Sequence, residues 1–151
     1  MAIPVEKHSM SDSHQALSTN LLIGSDAAEA RRVQEEIEAA LKAQQYSEHD
    51  IFSIRLAVEE ALVNAIKHGN RMDRTKKVQV SYRVHPDHFE VCIADEGSGF
   101  DPQDVPDPTA AENLERPSGR GLMLMRHYMS EVSFSTPGNA VRMRKRRNGR
   151  K

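Results

Sequence analysis

The apolar residues of this chain change their period once, and that change limits the fold more than any other feature. From Asp26 to Gly69 they recur at helical spacing: Ala30, Val33, Ile37, Ala40 and Leu41, then Ile51, Ile54, Val58, Ala61, Leu62, Ala65 and Ile66. From Val78 they alternate with polar residues: Val78, Val80, Tyr82 and Val84, then Phe89, Val91 and Ile93. The first pattern predicts two amphipathic helices. Asp26 caps one, which runs to about Gln45; Ser47 caps the other, which stops near Gly69. The second pattern predicts a β-hairpin turning at "HPDH". A strand is expected at Gln15–Ile23, a further helix on Leu122, Met125 and Met129, and closing strands at Val132–Phe134 and Val141–Met143. Elements in this order predict an α+β fold, a two-layer α/β sandwich with helices on one face of a mixed, mostly antiparallel sheet.

At 151 residues the chain suits one domain with room for a core. We expect a loose N-terminus at 1–13, the domain over 14–145 and a basic flexible tail at 146–151. No apolar run approaches the roughly 20 residues of a membrane span, and "MAIPVEKHSMSDSHQ" lacks the apolar centre of a signal peptide. A cytoplasmic protein is therefore expected. The single Cys92 fits that compartment and reads as a packed strand residue. Seven of the last ten residues are Lys or Arg, leaving 14 basic and 22 acidic residues in the rest, a body near −8. No aromatic residues interleave with these charges, so nucleic acid is not an expected partner. His85 and His88 have metal-ligand chemistry, but surface histidines beside a Pro-Asp turn need no such role.

Known phosphate and zinc signatures are missing. There is no GxxxxGK[ST], no third glycine at dinucleotide-binding spacing, no HExxH and no cysteine cluster. Three other stretches carry chemistry. In "LAVEEALVNAIKHGN", Glu60, Asn64 and His68 stand at i, i+4 and i+8, one face of an α-helix. A carboxylate there can accept a proton from a hydroxyl attacking phosphorus, and an Asn carboxamide is a hard ligand for Mg²⁺. Glu59 points about 100° away and reads as solvated. In "DEGSGF", Asp95 closes a buried-looking strand and Gly97 and Gly99 let the backbone come close to a ligand. In "SGRGL", two glycines open a helix whose free N–H groups suit anions. Between the last two stretches, Gly97 to Gly119 holds four of the chain's seven prolines, a length typical of a lid.

"EALVNAIKHG", "DEGSGF" and "SGRGL" resemble the asparagine box and two glycine boxes of the Bergerat-fold ATPase and kinase superfamily. The similarity runs from about Asp26 to Arg144. The short anti-sigma-factor serine/threonine kinases resemble the chain most, through "E-x-x-x-N-A-x-x-H-G", "GRGL-x-L-M" and the closing "V-R-M-R-K". The resemblance implies an ATP-binding sandwich with a long ATP lid, with Glu60 as general base and Asn64 as the Mg²⁺ ligand. It makes Asp95 the adenine contact, with Gly97 and Gly99 lining the pocket and His68 at its edge. Ser118, Gly119, Arg120, Gly121 and Leu122 then form the phosphate turn. Arg116 is assigned to the γ-phosphate, ahead of Arg120. The implied partners are a STAS-domain anti-anti-sigma protein and a sigma factor, and relatives often form homodimers.

Two departures stand out. The family often has Gly-Thr before the last strand, where the hydroxyl supports the adenine-binding acid; here the residues are "GNAV", which leaves Asn139 or nothing in that role. Pro117 follows Arg116 directly and bears on how that arginine reaches a phosphate. The competing reading is a non-catalytic ATP-binding module that sets the shape of its lid, and Glu60 argues against it, since a pure switch needs no base. A histidine kinase is not expected, because no helical hairpin with a phosphoacceptor histidine precedes the domain.

Overall fold

A computed structural model describes residues 3–8, 17–97, 117–135 and 139–148. Both helical stripes form where their spacing puts them. Helix α1 spans Ala27–Ala43, and the extended Asp26 accepts the Ala28 N–H at 2.8 Å. Helix α2 spans Glu48–Val63, and Ser47 Oγ accepts the Asp50 N–H at 3.0 Å. These caps satisfy N–H groups that a first helical turn leaves without partners. Past Val63 the helix does not end but widens into a π turn, Asn64–Gly69.

Six strands form one sheet. They are β1 Ile3–His8, β2 Leu17–Gly24, β3 Lys77–Val84, β4 His88–Ala94, β5 Glu131–Phe134 and β6 Ala140–Arg146, in the spatial order β1-β2-β3-β4-β6-β5. Every pairing among the described residues is antiparallel, so the parallel part of the expected mixed sheet does not occur there. β6 returns between β4 and β5 and runs opposite to both.

Described residues near both ends of the chain join the sheet or are held by hydrogen bonds. β1 lies within the segment expected to be loose, as an edge strand with a register shift between Pro4 and Glu6. An edge strand tolerates proline because one of its sides has no ladder to fill. At the other end, Arg146 belongs to β6 and the next two residues are anchored. The Arg147 N–H donates to Asp87 O at 2.9 Å, and its guanidinium lies 4.5 Å over the Tyr46 ring and donates to the carbonyls of Pro86 and Gln45. The Asn148 N–H donates to Asp50 Oδ2 at 2.8 Å. The expectation of a free tail from residue 146 is corrected through Asn148.

The core lies between the helices and one sheet face. Val78, Val80, Tyr82 and Val84 of β3 alternate inward, as do Phe89, Val91 and Ile93 of β4, against Val33, Ile37 and Leu41 of α1 and Ile54, Val58 and Leu62 of α2. Each such side chain contributes roughly 1.5–3 kcal/mol by leaving water. The Tyr82 hydroxyl donates across the layer to Glu36 on α1 at 2.5 Å. Helix α3, Pro117–Tyr128, lies along α2 and buries Met125 and Met129. As a result the C-terminal half of α2, the first turns of α3 and the end of β4 meet at one edge.

Candidate active site

Glu60, on α2, and Asn64, at the start of the π turn, each directly precede a core residue, Ala61 and Ala65. Glu60 is half-buried and Glu59 is exposed. Burial, and secondarily the charge of Glu59, push the Glu60 carboxyl above the usual glutamate range. Asn64 Oδ1 is buried and accepts no hydrogen bond among the described residues. Such an oxygen costs about 1–3 kcal/mol if nothing fills it.

Gly121 explains why these two side chains matter together. A Cβ at Gly121 would stand 2.9 Å from Asn64 Nδ2 and 3.4 Å from Glu60 Oε2. The start of α3 therefore rests directly on both residues, and only glycine leaves room there. Helix N-termini present N–H groups and partial positive charge to anions. Among the residues tied to this turn by motif, Leu122 is half-buried, and Ser118, Gly119 and Arg120 belong to the first turn of α3. Gly99 and Arg116 lie outside the described residues.

The π turn reorganises the rest of the helix. In it the Asn70 N–H reaches back to Ala65 O at 2.8 Å, an i→i+5 bond. His68 in this turn is exposed. A Cβ at Gly69 would lie 2.2 Å from Asp95 Cγ and Oδ2, so the carboxyl of Asp95 sits directly on this glycine. Gly97 packs as tightly, its virtual Cβ 2.2 Å from Gly69 O.

Asp95 is held from three sides. Its N–H donates to Asn139 O at 2.8 Å, its carbonyl accepts Asn139 Nδ2 at 3.1 Å, and its Oδ1 accepts the Gly97 N–H at 2.7 Å. Asn139 thus supports the backbone of Asp95 and not its carboxyl. Burial raises the Asp95 pKa, opposed by the Gly97 hydrogen bond and the charge of Lys76. Oδ2 accepts no hydrogen bond among the described residues and lies against Gly69.

Sequence reasoning missed Asn70. It is fully buried, and its Nδ2 donates to Ser25 Oγ at 3.0 Å and to Lys77 O at 2.9 Å. Its Oδ1 accepts the Glu96 N–H at 2.8 Å, and Glu96 Oε2 accepts the Lys77 N–H at 2.5 Å. One side chain therefore ties the end of β2, the start of β3 and the residue after Asp95 to the helix terminus. "HGN" at the end of an apolar stripe reads as an ordinary helix stop, which conceals this role.

Replacing Gly97 by Ala is expected to push residues 96–97 off Gly69. A displacement costing ~1–3 kcal/mol lowers nucleotide affinity about 5- to 150-fold, read by titration calorimetry. Unchanged affinity would remove this backbone contact from the pocket.

Residues 23–145 match the histidine kinase-like ATPase domain, and the chain belongs to that family. Within it the chain is similar to serine-protein kinases. The serine-protein kinase RsbW of Bacillus subtilis (strain 168) is 35% identical over 111 residues, 69% of each chain. That of Bacillus licheniformis is 37% identical over 95 residues, 58% of each chain. The serine/threonine-protein kinase BtrW of Bordetella bronchiseptica is 32% identical over 85 residues, 55% of this chain and 60% of that one. No helix among the described residues is long and apolar enough to cross a membrane.

Proposed function

We propose that the chain is an ATP-dependent serine/threonine protein kinase of the anti-sigma-factor type, which phosphorylates a STAS-type anti-anti-sigma partner and sequesters a sigma factor in the cytoplasm. The observation that carries this reading is the approach of Gly121 to both Glu60 and Asn64. It gathers the start of a helix, a carboxylate of raised proton affinity and the carboxamide of Asn64 around one point. A module that only binds nucleotide needs no such carboxylate. The similarity to serine- and serine/threonine-protein kinases supports a kinase activity.

Asn64 Oδ1 suits Mg²⁺, a hard cation that prefers oxygen ligands. Bound Mg²⁺–ATP supplies the transferable phosphoryl group and spreads the charge that develops on it. Glu60 takes the proton of the partner's hydroxyl as that oxygen attacks phosphorus, and burial makes it a better base. The first N–H groups of α3 hold phosphate oxygens, with Gly121 keeping the helix close. Asp95 Oδ2 accepts from the adenine amino group while the Gly97 N–H fixes the other carboxylate oxygen. The roles of Gly99, Arg116, Ser118, Gly119 and Arg120 rest on their motifs.

Incubation with γ-labelled ATP and each STAS-domain protein of the same genome tests the proposal. Label on a serine or threonine of one of them is the expected result. If ATP binds and none is labelled, the protein is a nucleotide-dependent switch instead.

A further inference from the structure

A second cluster lies at the opposite end of β4. His85, Asp87 and His88 are at the β3–β4 turn and Glu90 follows in β4, roughly 20 Å along the strand from Asp95 at ~3.3 Å per residue. Candidate ligand atoms of His85, His88 and Glu90 all fall within 4.8 Å of one another. Glu90 turns one oxygen to each imidazole: Oε1 is 3.3 Å from His85 Nε2, and Oε2 is 3.5 Å from His88 Nε2. Behind them, Asp87 Oδ1 lies 2.8 Å from His88 Nδ1.

These distances restrict the chemistry. Asp87 Oδ1 takes up Nδ1 of His88, which leaves Nε2 as the ring nitrogen turned to Glu90 Oε2, while His85 Nε2 faces Oε1. The ligand atoms of the three side chains therefore converge on one space. We propose that His85 Nε2, His88 Nε2 and the Glu90 carboxylate bind one divalent transition ion, Zn²⁺ being the representative, with Asp87 orienting His88 from behind.

Three lines of geometry and chemistry support the site. Tetrahedral Zn²⁺ with bonds of ~2.05 Å separates its ligand atoms by about 3.3 Å, close to the 3.3 and 3.5 Å found here. A carboxylate bonded to the far nitrogen of a histidine is the usual support for a metal-binding imidazole. His88 is held in place, its side chain only 13% exposed. Against the site, Arg83 and Arg144 stand opposite Glu90 on the neighbouring strands, and their charge opposes any cation, so bonding to the imidazole nitrogens has to supply the affinity. Without an ion the two rings stack at 4.0 Å with 14° between their planes, so binding requires one ring to turn about its Cβ–Cγ bond. That torsion is broad in energy.

Calorimetric titration of the metal-free full chain with ZnCl₂ at neutral pH tests the site. One ion per chain is expected. His85→Ala, His88→Ala and Glu90→Gln should each weaken binding more than Asp87→Asn, for which a loss of about 10–100-fold is expected. His127→Ala and Cys92→Ser, outside the cluster, should bind as before. Melting curves without zinc identify any variant that fails to fold; Glu90→Gln keeps the side chain's size and carries the test if a histidine variant does so. No stoichiometric binding overturns the proposal, as does binding that survives Glu90→Gln and the histidine variants undiminished.

Discussion

Glu60→Gln is expected to bind ATP as the native protein does and to transfer phosphate about 10²–10⁴ times more slowly. The substitution keeps the shape of the side chain beside Gly121 and removes only its capacity to take a proton. The pH profile is the second readout. Burial, then the neighbouring Glu59, raise the Glu60 pKa, so native activity should fall as pH drops through that raised value. The residual activity of the variant should lack this acidic limb. Stability should move the other way. Between the ordinary glutamate pKa and the raised one the folded state binds more protons than the unfolded state, so this group lowers stability as pH rises through that window. Glutamine removes the penalty, and the variant should melt at or above the native temperature at neutral pH. Full-rate transfer would show that Glu60 is not the base, and a loss of ATP binding would make it a ligand contact.

The division between what was legible and what was not follows from which interactions are local. Asp26 and Ser47 cap the helices they were expected to cap, because a cap acts over two or three residues and leaves its mark there. The β3–β4 hairpin follows from alternation alone. His68 shows the limit. Counting by fours places it with Glu60 and Asn64, but the helix widens into a π turn in which His68 is exposed and Gly69 meets Asp95. Nothing local announces the wider turn. Its causes are distant: Asp95 occupies the space over Gly69, and Asn70 must reach Ser25, Lys77 and Glu96 at once. β1 and the anchored Arg147 were missed for the same reason. A polar edge strand and a cation over Tyr46 depend on partners far along the chain.

Asn64→Ala should separate function from stability more sharply than any other change. The buried Oδ1 of Asn64 has no partner among the described residues, so the native side chain carries a polar group that has left water without compensation. Deleting it removes about 1–3 kcal/mol of that penalty, offset by lost packing. The ligand-free variant should therefore melt within a few degrees of the native protein or above it, unlike a substitution at a residue kept for the fold. Nucleotide should tell the opposite story. At Mg²⁺–ATP a hundredfold above its dissociation constant, the native protein gains about 2.7 kcal/mol, which is roughly 5–10 °C in a chain of this size. The variant should lose most of that shift. With Mg²⁺ replaced by EDTA the two proteins should behave alike, since the missing oxygen acts through the ion. A full Mg²⁺-dependent shift in the variant would take Asn64 out of the site, and a collapse of the ligand-free melting temperature would make it a residue of the fold.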